Sequence, residues 1–150
     1  MKIKTATSED LDILTLLFDR YRVFYKQESN LSAAREFLKD RLRKKDSVIF
    51  LAVDENGAGL GFAQLYPSFS SVAMQRVYIL NDLFVSKEAR GKGIGEELLE
   101  HSKNFAKANE SRGLTLETAV DNPAQNLYER LGWVKDTKVF HYTWETDKSI

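Results

Sequence analysis

The residues best suited to chemistry lie between Tyr78 and Gly95. The stretch Arg90-Gly91-Lys92-Gly93-Ile94-Gly95 puts three glycines within five positions, just after the polar link Ser86 to Ala89 and just before a helical pattern. The first amides of a helix have no partners inside it, and the helix dipole adds partial positive charge there. Glycines remove the Cβ atoms that would hold a phosphate away from those amides. No Ser, Thr, Asp or Asn stands at this turn to cap the helix, although such a residue is the usual solution. A bound pyrophosphate would do that capping instead. Arg90, Gly91, Lys92, Gly93, Ile94 and Gly95 are therefore a candidate anion cradle, with an ordinary flexible turn as the alternative.

Directly upstream, the apolar run Tyr78 to Val85 carries two polar residues, Asn81 and Asp82. Burying them costs free energy unless they are hydrogen-bonded. Strand alternation predicts Asn81 with Ile79 and Leu83 on one face, and Asp82 with Leu80 and Phe84 on the other. Adjacent polar groups in mid-strand indicate a bulge, a tie to a neighbouring loop, or a catalytic cleft. An aromatic group, Tyr21, Phe24 and Tyr25, closes the first helix. Phe24 is expected in the core, while Tyr21 and Tyr25 suit either the core or a pocket wall.

The elements that must position these groups follow from local patterns. Lys2 to Ala6 reads as a strand. Thr7 followed by Asp10 resembles a capping box, and Leu11, Leu14, Leu17 and Phe18 recur at helical spacing to about Tyr25. After a polar loop from Lys26 to Asn30, Ser32 is the expected cap of a second helix with Ala34, Phe37, Leu38 and Leu42 on one face. Ser47 to Val53 is nearly all apolar, predicting a strand buried on both faces. Asp54 to Gly57 supplies a turn, and Gly59 to Tyr66 is the return strand, ended by Pro67, which cannot donate to a ladder. Ser68 to Ala73 is expected as a loop.

A helix from Ile94 to Asn109 follows the glycines, with His101 at the margin of its apolar stripe. Leu114 to Val120 is expected as a strand. Asp121-Asn122-Pro123 starts a short helix, Ala124 to Leu131, with Gly132 as its C-cap. Trp133 to Lys135 and Val139 to Trp144 are expected as closing strands. His141 has no histidine or cysteine near it in the sequence, which argues against a metal site.

Composition sets the outer bounds. The 150 residues suit one domain, 1–150, with 43% apolar and 29% charged residues. With 22 basic and 22 acidic residues the formal net charge is zero, so neither nucleic acid nor an anionic membrane is indicated as principal partner. The absence of cysteine excludes disulfides, thiolate metal sites and a cysteine nucleophile. No apolar run approaches spanning length and the N-terminus lacks a signal-peptide core, so the cytoplasm is the expected compartment.

With these residues in place, the chain resembles the GNAT superfamily of acetyl-CoA-dependent N-acetyltransferases. RGKGIG after a strand ending LFV is similar to the family's R-x-x-G-x-G pyrophosphate loop, and DNPAQNLYERLGW resembles its second signature. The element order fits along nearly the whole chain. The resemblance implies an α+β, α/β/α fold. Its central sheet would be mixed, mostly antiparallel, with about seven strands flanked by about four helices and splayed at the acetyl-CoA site. It further implies that backbone groups of Leu83, Phe84 and Val85 hold the pantetheine arm, that Arg90 to Gly95 cradle the pyrophosphate, and that Tyr128 protonates the departing thiolate. Packing beside Leu127 and Leu131 is the plainer role for Tyr128.

Two departures stand out. Where the family often has Asn seven residues before the tyrosine, this chain has Asp121, with Asn122 next to it. The strand YILNDLFV resembles the polyamine and thialysine acetyltransferases, which tend to have Glu-Asp at Asn81-Asp82. Asparagine cannot act as a base, so Asp82, Glu117 or a water chain is left for that task. The lost charge points to an amino acid or small amine, seated by Tyr25, Asn81 and Asp82, rather than to a polycation. The resemblance implies acetyl-CoA as co-substrate without a metal, and a homodimer as the common assembly. A catalytically silent acyl-CoA-binding module is the alternative.

Overall fold

The computed structural model describes residues 1–147, which fall into two compact units, Met1–Glu117 and a second beginning at Thr118. In the first unit, five strands lie side by side in chain order: β1 (Lys2–Thr5), β2 (Val48–Val53), β3 (Gly59–Ser70), β4 (Gln75–Val85) and β5 (Leu114–Thr115). Neighbours pair antiparallel from β1 to β4, and β4 pairs parallel with β5. Helices α1 (Leu11–Phe24), α2 (Leu31–Lys44) and α3 (Ile94–Ala108) complete this unit, and α4 (Ala124–Arg130) lies in the second.

The sheet thus has five strands among the described residues, where the resemblance implied about seven. The expected strand Leu114 to Val120 shrinks to Leu114–Thr115, and neither Trp133 to Lys135 nor Val139 to Trp144 forms one. Alternation supplies only a face, and a strand exists by pairing its backbone with a neighbour. Phe140, Tyr142 and Trp144 carry the apolar face but stand 85–90% exposed.

Local chemistry explains the helix ends. Thr7 accepts from the Glu9 amide at 3.3 Å, and the Asp10 carboxylate takes the Thr7 amide at 2.9 Å and Lys4 Nζ at 3.0 Å. This capping box launches a single 3₁₀ turn, Ser8–Asp10, that runs into α1. The cap of α2 is Asn30 rather than Ser32: its side chain accepts from the Ala33 amide at 3.0 Å. Asp19, buried on α1, accepts from Ser29 Oγ at 2.6 Å and the Asn30 amide at 2.7 Å, pinning the α1–α2 connection.

The sheet has a different partner on each face. Leu14, Leu17 and Phe18 of α1 and Ala34 and Leu38 of α2 pack with Ile49, Leu51, Phe62 and Phe84. On the other face, Phe50 and Tyr78 meet the Phe105 ring of α3 at 5.4 and 5.1 Å. Strand β2 is buried on both faces, as its apolar run predicts. Strand β3 runs through Pro67 instead of ending there. Its partner Tyr78 turns its N–H away, donating to the Gly113 carbonyl at 3.0 Å, so no ladder donor is required at Pro67. The loop expected from Ser68 to Ala73 contracts to a turn closed by the Met74 amide on the Ser71 carbonyl.

One irregularity in β4 sets the chemistry. Leu65 pairs with Leu80, but Gln64 pairs with Asp82, so Asn81 is an extra residue, a β-bulge. An inserted residue turns every later side chain to the other face. Tyr78 and Leu80 therefore face α3 while Asp82 and Phe84 face α1 and α2, which corrects the simple alternation expected for this strand. Just beyond, a Cβ on Gly61 would come within 2.5 Å of the Phe84 carbonyl oxygen, so β3 must carry glycine there.

Thr7→Ala should cost about 1 kcal/mol through the lost cap. Gly61→Ala should cost more, about 1–3 kcal/mol, because a backbone oxygen must move. Urea midpoints of the two variants test the ranking, and a Gly61→Ala protein no weaker than Thr7→Ala would contradict it.

Candidate active site

The glycine turn has the geometry of an anion cradle. Gly91 and Gly93 hold φ at 79° and 78°, the left-handed region that favours glycine. Gly93 caps α3 without any side-chain hydrogen bond, and the first helical bond is Glu97 N–H to Gly93 C=O at 3.0 Å. Among the described residues, the amides from Gly91 to Gly95 find no backbone acceptor. Lys92 adds an exposed cation. Arg90 folds back instead: its Nε donates to the Val85 carbonyl at 3.0 Å, and its guanidinium lies over the Phe24 and Phe84 rings at 5.3 and 5.8 Å.

Among the described residues, the end of β4 beside this turn pairs with a strand on one side only. Pairing with β5 covers Tyr78 and Ile79 only. The Ser86 amide donates to the Leu60 carbonyl at 2.8 Å, so alternation directs the peptide groups of Phe84 toward β3 and those of Leu83 and Val85 away from it. Of the three residues expected to hold an extended ligand by backbone, Leu83 turns its peptide groups outward, and Val85 does so with its carbonyl already taken by Arg90. Phe84 contributes a buried ring instead, tilted against Phe62 at 6.4 Å.

Past the bulge, Asp82 is 5% exposed and draws donors from several elements. Its Oδ2 accepts from Gln64 Nε2 at 2.7 Å and its Oδ1 from Asn81 Nδ2 at 3.1 Å. The Tyr21 hydroxyl lies near the same carboxylate: burial, then the Asp82 charge, hold it well above the usual phenol range. Burial, then the Asp82 charge, push the Tyr66 hydroxyl up to about 12. Both phenols thus stay protonated donors around neutral pH. Tyr25 packs edge-on against Tyr21 at 5.1 Å and is half exposed, as a pocket wall requires. Phe24, expected in the core, is 58% exposed because α1 ends there and its ring faces Arg90.

The structure thus groups Asn81, Asp82, Tyr21 and Tyr25 at one end of the first unit's sheet, by the Leu83 and Val85 edge. Tyr128 and Asp121 belong to the second unit, where the Tyr128 ring lies 6.0 Å from Trp133 and Asn122 Oδ1 accepts from the Ala124 amide at 2.9 Å, just ahead of α4. Glu117, the other acid considered as base, is exposed. Gln64 and Tyr66 were missed. The signal for Gln64 was its place as the one polar residue in the run Leu60 to Leu65. Among the described residues, no group of three or more His, Cys, Asp and Glu side chains could hold a metal ion, and no helix is long and apolar enough to cross a membrane.

Known proteins give this arrangement a context. The model of the acetyltransferase (GNAT) family matches residues 12–133. The chain is 49% identical to the uncharacterized N-acetyltransferase YhfO of Bacillus subtilis, over 95% of each sequence. It is 36% identical to a probable acetyltransferase of Haemophilus influenzae, over 87% of this chain and 86% of that one. A crystal structure of a probable acetyltransferase superposes with a TM-score of 0.93 at 45% identity, covering 98% of this chain and 99% of the other. The chain belongs to the GNAT acetyltransferase family.

Two outcomes follow from this geometry. Gly93→Glu should abolish acetyl-CoA binding by calorimetry, whereas Gly93→Ala, sharing the left-handed strain of about 1–2 kcal/mol without the charge, should keep part of it. Unchanged affinity in the Glu variant would remove the loop from the site. Secondly, the raised Tyr66 phenol contributes stability fully below the free value of 10.0, and that contribution is lost as pH rises toward about 12. Tyr66→Phe should flatten the alkaline fall in urea midpoint, and a variant as alkali-sensitive as the parent would contradict the assignment.

Proposed function

We propose that this GNAT family member moves the acetyl group of acetyl-CoA directly to the primary amine of a small molecule, an amino acid or small amine. The observation that carries the reading is the run of unpaired amides from Gly91 to Gly95 at the start of α3, beside a strand edge where Leu83 and Val85 turn their peptide groups outward. The loop would cradle the pyrophosphate, and the edge would pair with the pantetheine arm.

Each requirement of the transfer has a candidate in the chain. An alkyl ammonium has a pKa of roughly 10.4, so a proton must leave before the nitrogen can attack. Asp82, Glu117 or a water chain would take it. Attack on the thioester carbon builds an oxyanion, for which a β4 amide near Leu83 would be the donor. As the carbon–sulfur bond breaks, the Tyr128 hydroxyl would give its proton to the thiolate. Tyr128 is assigned on its place in the family signature, within one working domain spanning 1–150.

The likeness to the polyamine and thialysine branch rests on Tyr78 to Val85 alone. Asn81 removes an acid there, which favours a small amine over a polycation. That same lost acid favours the second reading, a silent acyl-CoA-binding module. The proposal also puts the enzyme in the cytoplasm as a homodimer. Incubating acetyl-CoA with a panel of amines and amino acids and following thiol release separates the two: release with none of them, despite acetyl-CoA binding, would leave only the module.

Tyr128→Phe keeps the ring, so stability should change little. General acid catalysis is worth about 10²–10⁴ in rate, and CoA is a tolerable leaving group, so kcat should fall toward the low end with acetyl-CoA affinity unchanged. A Phe variant keeping more than about half of kcat, where chemistry limits turnover, would reduce Tyr128 to packing.

A further inference from the structure

Gln64 is fully buried, its Nε2 donates to Asp82 Oδ2 at 2.7 Å, and its Oε1 has no donor among the described residues. The orientation of the amide is set by chemistry, because only its NH₂ end can donate to a carboxylate. Oε1 is therefore a buried acceptor held beside a buried carboxylate, and such an atom costs free energy until a donor reaches it. Asp82 accepts from Gln64 and Asn81, with the Tyr21 hydroxyl close by. A carboxylate offers about four acceptor positions, so the two side-chain bonds do not exhaust it. Both acceptors flank the bulge, where Asn81 is exposed and Tyr25 half exposed, so the cluster lies just beneath the surface.

We propose that Gln64 Oε1 and Asp82 together seat the nitrogen of the acceptor amine, and that this seat selects a terminal aminomethyl group. The proposal rests on the amine-transfer reading above and narrows it. Two N–H groups meet the two acceptors, and the carboxylate compensates the charge of the arriving ammonium. With Gln64 fully buried and Asp82 5% exposed, only a small head on an unbranched carbon reaches them. A carboxylate on the carbon next to the nitrogen, as in any α-amino acid, would be carried close to Asp82 and repelled where little water screens the charges. Amines whose nearest anion lies several carbons away escape that repulsion.

The test begins with protein labelled at its glutamine side-chain amides, titrated with ethylammonium, tetramethylammonium and glycine and followed by NMR. The Gln64 signal should shift saturably with ethylammonium, not with tetramethylammonium, which has the charge without an N–H, and only weakly with glycine. No saturable shift, or an equal one with tetramethylammonium, would overturn the seat. In turnover, Gln64→Met should raise KM for ethylamine about tenfold or more, the scale of a hydrogen bond to a charged group, with KM for acetyl-CoA unchanged. An unchanged amine KM, or glycine outcompeting ethylamine in the parent, would make Gln64 a strut for Asp82 alone. Should the Met variant not fold, the titration of the parent protein decides. Thiol release with no amine at all, while ethylammonium still binds at Gln64, would sink the transfer reading and leave the seat standing.

Discussion

A carboxylate buried in a sheet has to be surrounded by donors, and Asp82 takes its own from Gln64 of β3 and Asn81 of β4, with the Tyr21 hydroxyl of α1 nearby. That requirement fixes more than one side chain. Tyr21 holds the α1 side of the cluster, so α1 is registered against β4 by Tyr21 on Phe84 and beside Asp82, and against β3 by Phe18 on Phe62. The helix end then delivers Tyr25 and Phe24 to the rim of the same region, and Phe24 receives the Arg90 guanidinium from the glycine turn. The phosphate-type cradle and the acidic cluster are thus tied to each other through the aromatic end of one helix.

The two halves of the region use different physics. The cradle is built from backbone: amides left over at a helix start and peptide groups left over at a strand edge, oriented by geometry that any sequence with glycine at Gly91 and Gly93 would share. The acidic cluster is built from side chains whose identities matter atom by atom. Arg90 joins the glycine turn to the strand edge, since it occupies the Val85 carbonyl that an extended ligand would use.

What was legible in the sequence was what depends on neighbours along the chain. The Thr7–Asp10 box, the uncapped glycine turn and the doubly buried β2 all follow from contiguous residues. What escaped depends on residues far apart. Ser32 and Asn30 are both competent caps, and the choice falls to Asn30 because Asp19 on α1 holds its amide. The bulge at Asn81 exists only relative to β3, so no pattern within β4 reveals it. Val139 to Trp144 has the alternation of a strand, but alternation does not supply a partner. Gln64 was visible as a lone polar residue, and its meaning appeared only once Asp82 lay across from it.

The bulge also constrains how this chain can diverge. Asn81 is exposed, so its side chain can change type at little cost to the fold. What must persist is the bulge itself: drawing Asn81 into the regular ladder would send Asp82 and Phe84 to the α3 face and pull the acid away from Gln64 and Tyr21 in one step, whereas removing the residue outright would leave Asp82 opposite Gln64. The chemistry at the bulge can therefore be retuned by substitution, provided the residue at 81 stays out of the ladder.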